Sequence, residues 1–203
     1  MEYIFWILIS YLSGSIPTGY WLGKLKGIDL TQIGSGSTGA TNVLRNLGPP
    51  AAILTLFVDV LKGFLPVFFA LTLQNNDLVV MFAAVACLIG HSKSVFLKFK
   101  GGKSSATGLG ILIAISWQAA AITFFIWLVV VGMSKYSSLG SIISVPLVPL
   151  WIYLFHKPMI YVYLAIFAAV YIVLVRHREN IQRLFKGTEQ KIGGMNKPSP
   201  PSP

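Results

Sequence analysis

Apolar residues fall into six long stretches, at 3–23, 51–73, 78–97, 106–133, 139–155 and 159–175, separated by short polar segments. Stretches near ~20 residues are what a helix needs to cross the hydrocarbon of a bilayer. The stretch at 106–133 is longer than one crossing requires, and Ser116-Trp117-Gln118 interrupts it near its middle. Counted as one span, it gives six crossings and puts residues 176–203 opposite the other basic loops. Counted as two short helices, it gives seven, and every basic loop falls on one side. That side then holds Lys24, Lys26, Arg45, Lys98, Lys100, Lys103, Lys135, Arg176, Arg178, Arg183 and Lys186. The other keeps Glu2, Gln74-Asn75-Asn76-Asp77, Ser116-Trp117-Gln118 and His156-Lys157-Pro158. Basic loops stay in the cytoplasm. The sequence therefore predicts an all-α integral membrane protein, a bundle of about seven transmembrane helices, some short or broken. Its N-terminus is expected outside and its C-terminus in the cytoplasm. Residues 1–192 read as one transmembrane domain, and 193–203, rich in proline and serine, as a disordered tail.

Composition agrees with this pattern. Of 203 residues, 55% are hydrophobic and only 11% charged, which excludes an ordinary soluble domain. The net charge of +10 would point to nucleic acid in a soluble protein, but loops on one face of a membrane explain it without such a partner. The single cysteine, Cys87, lies in an apolar stretch, so a disulfide or a cysteine-ligated metal is not expected. The first stretch lacks a basic n-region and an A-x-A-like cleavage site and reads as a retained helix.

Two loops carry candidate chemistry. Gly34-Ser-Gly-Ser-Thr-Gly-Ala-Thr-Asn-Val-Leu-Arg45 packs three glycines, four hydroxyls, an amide and a cation into twelve residues. Glycines let a backbone turn its N–H groups inward, and arginine presents a planar fork, which together suit a phosphate. Lys98-Phe-Lys-Gly-Gly-Lys-Ser-Ser-Ala-Thr107 repeats the recipe. Neither loop has the G-x-x-x-x-G-K-[ST] spacing of a nucleotide-binding loop. A flexible linker would not need Thr41–Arg45 continuing in helical register behind it.

Ionisable groups also occur where they are expensive. Asp59 and Lys62 lie three residues apart on one helix face, ~13 Å along the second stretch. They form either a self-satisfying ion pair or the edge of a polar cavity beneath the loops. His91, near the inner end of the third stretch, reads first as a structural donor. Near the C-terminus, Glu179, Asn180 and His177 beside Arg176 and Arg178 make a polar cluster suited to orienting a substrate.

Taken together, Ser13-Gly-Ser-Ile-Pro17, the 34–45 loop, Asp59-Val-Leu-Lys-Gly63, Gly90-His91, Phe99-Lys-Gly-Gly-Lys103 with Ala106-Thr107, and His177-Arg-Glu-Asn-Ile-Gln-Arg-Leu184 with Gly187-Thr-Glu189 resemble the bacterial acyl-phosphate:glycerol-3-phosphate acyltransferases. The resemblance runs from the first helix to about Gly193. It implies transfer of a fatty acyl group from acyl phosphate to the 1-hydroxyl of glycerol 3-phosphate in the bacterial plasma membrane, with no metal or organic cofactor. It also implies a functional link to the enzyme that makes acyl phosphate, and assigns Gly101-Gly102-Lys103 to glycerol 3-phosphate.

On this reading Arg45 and Lys103 hold phosphates, while Ser35, Ser37, Thr38, Thr41 and Asn42 add donors around Gly36. Ser104, Ser138 and Ser141 supply further hydroxyls, and Asp59, Lys62, His91 and Glu179 orient the site. The proton of the attacking hydroxyl goes to His177, with Asn180 beside it, or to a phosphate oxygen of the substrate. The competing class is a membrane transporter or binding protein for a phosphorylated solute, which intramembrane charge and glycine-broken helices would also suit.

Overall fold

The computed structural model describes residues 1–193 and is helical, with one isolated bridge between Ser94 and Lys100 and no strand among the described residues. Apart from Gly193, the tail expected to be disordered lies outside the described residues. Four helices are long and apolar enough to cross a bilayer: Pro49–Leu73, Trp117–Ser134, Ser137–Leu154 and Met159–Arg176. Asp77–Ser92 and Ser105–Ile115 are shorter apolar helices.

What distinguishes the bundle is where its helices break. The first apolar stretch is α1 (Glu2–Ser15) and α2 (Thr18–Leu25), split at Ile16-Pro17. Proline disfavours helical geometry in the residue before it, and Ile16 leaves the helix at ψ 112°. Its freed carbonyl accepts a 2.7 Å hydrogen bond from Lys62 Nζ. A short α3 (Ala40–Leu47) ends at Gly48, whose φ of +86° a side chain would resist, and Pro49 opens α4 (Pro49–Leu73). Inside α4, Pro66 cannot bond the carbonyl of Lys62 four residues back. That carbonyl accepts from Ser13 Oγ at 3.0 Å and Cys87 Sγ at 3.1 Å instead. Both proline breaks are thus repaired by neighbouring helices, as a bilayer interior requires.

Next come α5 (Asp77–Ser92), α6 (Ser105–Ile115) and α7 (Trp117–Ser134). The long stretch at 106–133 does break, at Ser116, which leaves helical geometry and caps α7 by accepting from Ala119 N–H. The division is unequal, eleven residues against eighteen. The segment Ser137–Leu154 is α8 (Ser137–Ser144) and α9 (Val148–Leu154), joined through a tight turn containing Pro146. Finally α10 (Met159–Val170) widens into a π-helical turn, Tyr171–Arg176, before α11 (Arg178–Phe185). The π-turn leaves the Ile172 carbonyl to His177 Nδ1, 2.8 Å away.

Small residues bring these helices together. A Cβ at Gly14 would strike the Cys87 carbonyl, and one at Gly90 the Tyr11 carbonyl, so α1 and α5 touch through backbone. Gly63 against Thr107, and Gly110 against Val60, do the same for α4 and α6. In lipid this close packing replaces the hydrophobic effect as the force between helices. Large apolar side chains such as Phe5, Phe57, Phe125 and Tyr163 face outward.

Gly110→Leu is expected to force α4 from α6 and lower the thermal midpoint in detergent, since overpacking a tight contact costs about 1–3 kcal/mol. Gly132→Leu, where a side chain meets nothing within 4 Å, should leave the midpoint unchanged. Equal melting of both variants with wild type would mean that the α4–α6 contact is not tight in solution.

Candidate active site

Loops and helix ends border a cavity of about 430 Å³. One half is polar. The 34–45 loop contributes Ser35, Ser37, Thr41, Asn42 and Arg45, and the second loop Lys103 and Ser104. Ser138 and Ser141 enter from α8, His177 and Asn180 from the start of α11, and Asp59 and His91 from α4 and α5. The other half is apolar, made by Leu56, Leu109, Leu112, Phe124, Trp127, Leu128, Val145 and Val148. Three helix N-termini also border it: α3 at Gly39–Thr41, α6 at residues 104–106 and α8 at residues 137–138. No side chain caps any of the three. Unsatisfied N–H groups and the positive ends of three helices, with two cations, favour bound anions.

The cations are held under tension with their surroundings. Burial, and then the charges of Arg183 and Arg45, bring the Lys103 ammonium down to a pKa of about 8. Lys103 makes no hydrogen bond or ion pair among the described residues. Arg45, pushed down by burial though still charged, donates from Nη2 to the Gln190 carbonyl at 2.6 Å, and its buried Nε has no partner. Burial chiefly, opposed by the Ile172 carbonyl, brings His177 down to about 4, so it is neutral near pH 7. A carbonyl only accepts, so Nδ1 carries the proton and Nε2 the lone pair.

The membrane-buried charges form a true pair, and one of them reaches the cavity. Lys62 Nζ lies 2.7 Å from Asp59 Oδ1, with both groups buried. Asp59 and His91 border the cavity, whereas Lys62 does not. His91 has a hydroxyl partner, Thr107, at 3.1 Å and the Asp59 carboxylate at 3.8 Å, which resembles a relay. Both approach the same nitrogen, Nδ1, whereas a relay needs one on each side of the ring. The Nε2 edge is closed by Gly102, where any Cβ would strike it.

Several sequence expectations need correcting. Gly101 and Gly102 do not line the cavity. The Gly102 N–H donates to the His91 carbonyl at 3.1 Å, and both carbonyls accept from Arg176. These glycines allow the loop to lie against His91, and they leave Lys103 to face the cavity. Gly36 and Thr38 also lie off the cavity. Asn42 borders it but has no free donor. Its Nδ2 bonds the carbonyls of Leu30, Ile33 and Ser37, and its Oδ1 accepts from Ser35 N–H. It shapes the loop from within, against Gly34, whose absent side chain leaves room for the amide. Glu179 is exposed, pairs with Arg183 at 3.8 Å, and does not reach the cavity. The glutamate that does is Glu189. It accepts from Ser138 Oγ at 2.7 Å, Asn180 Nδ2 at 2.6 Å and Arg183 Nε at 2.7 Å. In sequence it was only part of a motif, because no periodicity ties a residue beyond α11 to α8. Ser105, Ser137 and Ser144 are further lining hydroxyls that their positions in the sequence do not single out.

The sequence profile described as glycerol-3-phosphate acyltransferase matches residues 4–187. Relatives carrying that name include one from Synechococcus sp. (strain JA-3-3Ab), 47% identical over 90% of this chain and 90% of the relative. Another, from Carboxydothermus hydrogenoformans, is 48% identical over 92% of this chain and 94% of its own length. Among solved structures, PlsY (YgiH), an integral membrane glycerol 3-phosphate acyltransferase in its glycerol 3-phosphate form, is similar with a TM-score of 0.91. It is 39% identical, over 95% of this chain and 96% of that one. Its lysophosphatidic acid form is similar with a TM-score of 0.88 at 38% identity, over 94% and 95% of the two chains. With its helical bundle and its cavity joining a cationic half to an apolar half, this chain belongs to the glycerol-3-phosphate acyltransferase family.

Proposed function

We propose that this acyltransferase moves a fatty acyl group from acyl phosphate to the 1-hydroxyl of glycerol 3-phosphate, releasing 1-acyl-glycerol 3-phosphate and phosphate. This is the first step of bacterial phospholipid synthesis. The observation that carries it is the two-sided cavity. Helix N-termini, Arg45 and Lys103 suit two phosphates, and the adjoining apolar wall suits a fatty chain. The relatives' names and the two forms of PlsY support the same reading. Family membership disfavours a transporter. We place the enzyme in the bacterial plasma membrane with seven crossings, its cavity toward the cytoplasm, where glycerol 3-phosphate is made.

Acyl phosphate is a mixed anhydride. The glycerol oxygen attacks the acyl carbon, the carbon–oxygen bond to phosphorus breaks, and phosphate leaves with the electron pair. Phosphate needs no protonation to leave, so the enzyme must mainly position two anions and neutralise their charge. A neutral His177 titrating at about 4 is a poor base near pH 7. The proton therefore passes to a phosphate oxygen of the substrate, while His177 and Asn180 orient the glycerol.

Purified protein given acyl phosphate and glycerol 3-phosphate should release phosphate and form 1-acyl-glycerol 3-phosphate, equally well with EDTA. Acyl-CoA should be inert, because the lining residues of the two loops are compact donors and cations that offer no aromatic platform for an adenine. Comparable rates from acyl-CoA, or loss of activity in EDTA, would overturn this donor.

Arg45→Ala and Lys103→Ala should each lower kcat/KM at least tenfold while the protein still folds, since a lost charge-assisted contact costs about 1.5–3 kcal/mol. Wild-type kinetics in either variant would remove that residue from the site.

The pH profile should carry a basic limb from Lys103. Its charge is present below about 8 and lost as pH rises through that value, so kcat/KM for glycerol 3-phosphate should fall there. Lys103→Arg should keep activity at alkaline pH, because a guanidinium stays protonated. A basic limb unmoved by this substitution would assign it to another group.

A further inference from the structure

Most groups on the polar wall donate. Arg45, Lys103 and three helix N-termini can only give hydrogen bonds, which suits phosphate oxygens, so a glycerol hydroxyl must find its acceptor among the other lining groups. Three buried polar atoms bordering the cavity lack a partner among the described residues: Arg45 Nε, Ser105 Oγ and Asn180 Oδ1. Only the last is purely an acceptor. An asparagine amide could face either way, and what fixes this one is Glu189.

We propose that Glu189 is a positioning residue that turns Asn180 and Ser138 into acceptors for the 2-hydroxyl of glycerol 3-phosphate. A carboxylate only accepts, so Asn180 must offer it Nδ2, at 2.6 Å, which leaves Oδ1 to the cavity. The Ser138 hydroxyl donates its one hydrogen to the same Oε1 at 2.7 Å, leaving its oxygen to accept. Arg183 Nε, 2.7 Å from Oε2, anchors the carboxylate from the far side. Burial disfavours the charge on Glu189, but the bonds from Ser138, Arg183 and Asn180 outweigh burial and keep it ionised. The 2-hydroxyl is the partner because it keeps its proton throughout. The proton of the attacking 1-hydroxyl must leave for a phosphate oxygen, and an acceptor holding it would compete with that transfer. This inference rests on the proposed acylation of glycerol 3-phosphate.

The test compares glycerol 3-phosphate with 3-hydroxypropyl phosphate, which keeps the reacting hydroxyl and lacks the 2-hydroxyl, in purified full-length protein in detergent. Wild type should prefer glycerol 3-phosphate about tenfold or more in kcat/KM, the usual consequence of leaving a buried acceptor unpaired. Glu189→Gln, which can offer an amide of either sense, should raise the KM for glycerol 3-phosphate about tenfold and collapse this preference. The KM for acyl phosphate and turnover of 3-hydroxypropyl phosphate should stay near wild type. Glu189→Asp, still a pure acceptor, should recover most of the preference. If Glu189→Gln does not fold, Asn180→Ala must erase the preference by itself. A preference unchanged in Glu189→Gln or in Asn180→Ala overturns the inference, as does an equal loss of turnover with both acceptors. Wild type that acylates neither compound would instead overturn the function on which the inference rests.

Discussion

The structure depends on how one ammonium group is satisfied inside the membrane. Lys62 is buried in α4, where an unpaired charge would be prohibitive. Its Nζ takes Asp59 on its own helix and the Ile16 carbonyl that Pro17 released from the first helix. Its own carbonyl, released by Pro66, is held by Ser13 and Cys87. One residue thus knits α1, α4 and α5, at the points where prolines interrupt their backbone bonds. The network continues outward, because Asp59 lies beside His91, and His91 holds Thr107 through its ring and Gly102 through its carbonyl. Arg176, at the end of the last spanning segment, grips Gly101 and Gly102 from the other side. Lys103 stands at the end of this chain of contacts, its position determined by charges far from any substrate.

A second division runs through the cavity itself. Groups that can only donate gather where phosphates would lie, and the Glu189 carboxylate turns two ambivalent groups into acceptors. The arrangement explains why a site for anions tolerates Glu189. Three donors surround that carboxylate, so little of its charge is left to repel a phosphate, while Arg45 and Lys103 pair with no carboxylate among the described residues.

Much of this could be read from sequence, and what could not has a common cause. The apolar stretches, the break near Ser116, the Asp59–Lys62 pair and the helix behind Thr41 were legible because each is a local property of spacing and polarity. The functions of Asn42, Gly101 and Gly102 were not. Sequence shows that a donor exists but not whether a carbonyl elsewhere already occupies it, and Asn42 gives its amide to Leu30, Ile33 and Ser37. Glu179 and Glu189 exchanged places for a similar reason. Glu179 sits in a visible polar cluster, yet its helix turns it outward, while Glu189 reaches α8 only because the chain doubles back after α11.

The cavity also joins two phases. Leu56 and Leu128 line its apolar half while remaining 42% and 47% exposed, on helices whose outer faces meet lipid. On this reading the apolar half opens toward the bilayer-facing surface. On the proposed chemistry, a fatty chain stays in contact with the membrane while its phosphate enters the polar half. The chain then gains little by being buried in protein, since lipid and Leu side chains solvate it alike. Binding selectivity for the donor must come mainly from its phosphate, held by fixed charges and helix termini. That accounts for a small enzyme whose cations toward the cavity, Arg45 and Lys103, lie outside the spans, with the spans devoted to holding those segments in register.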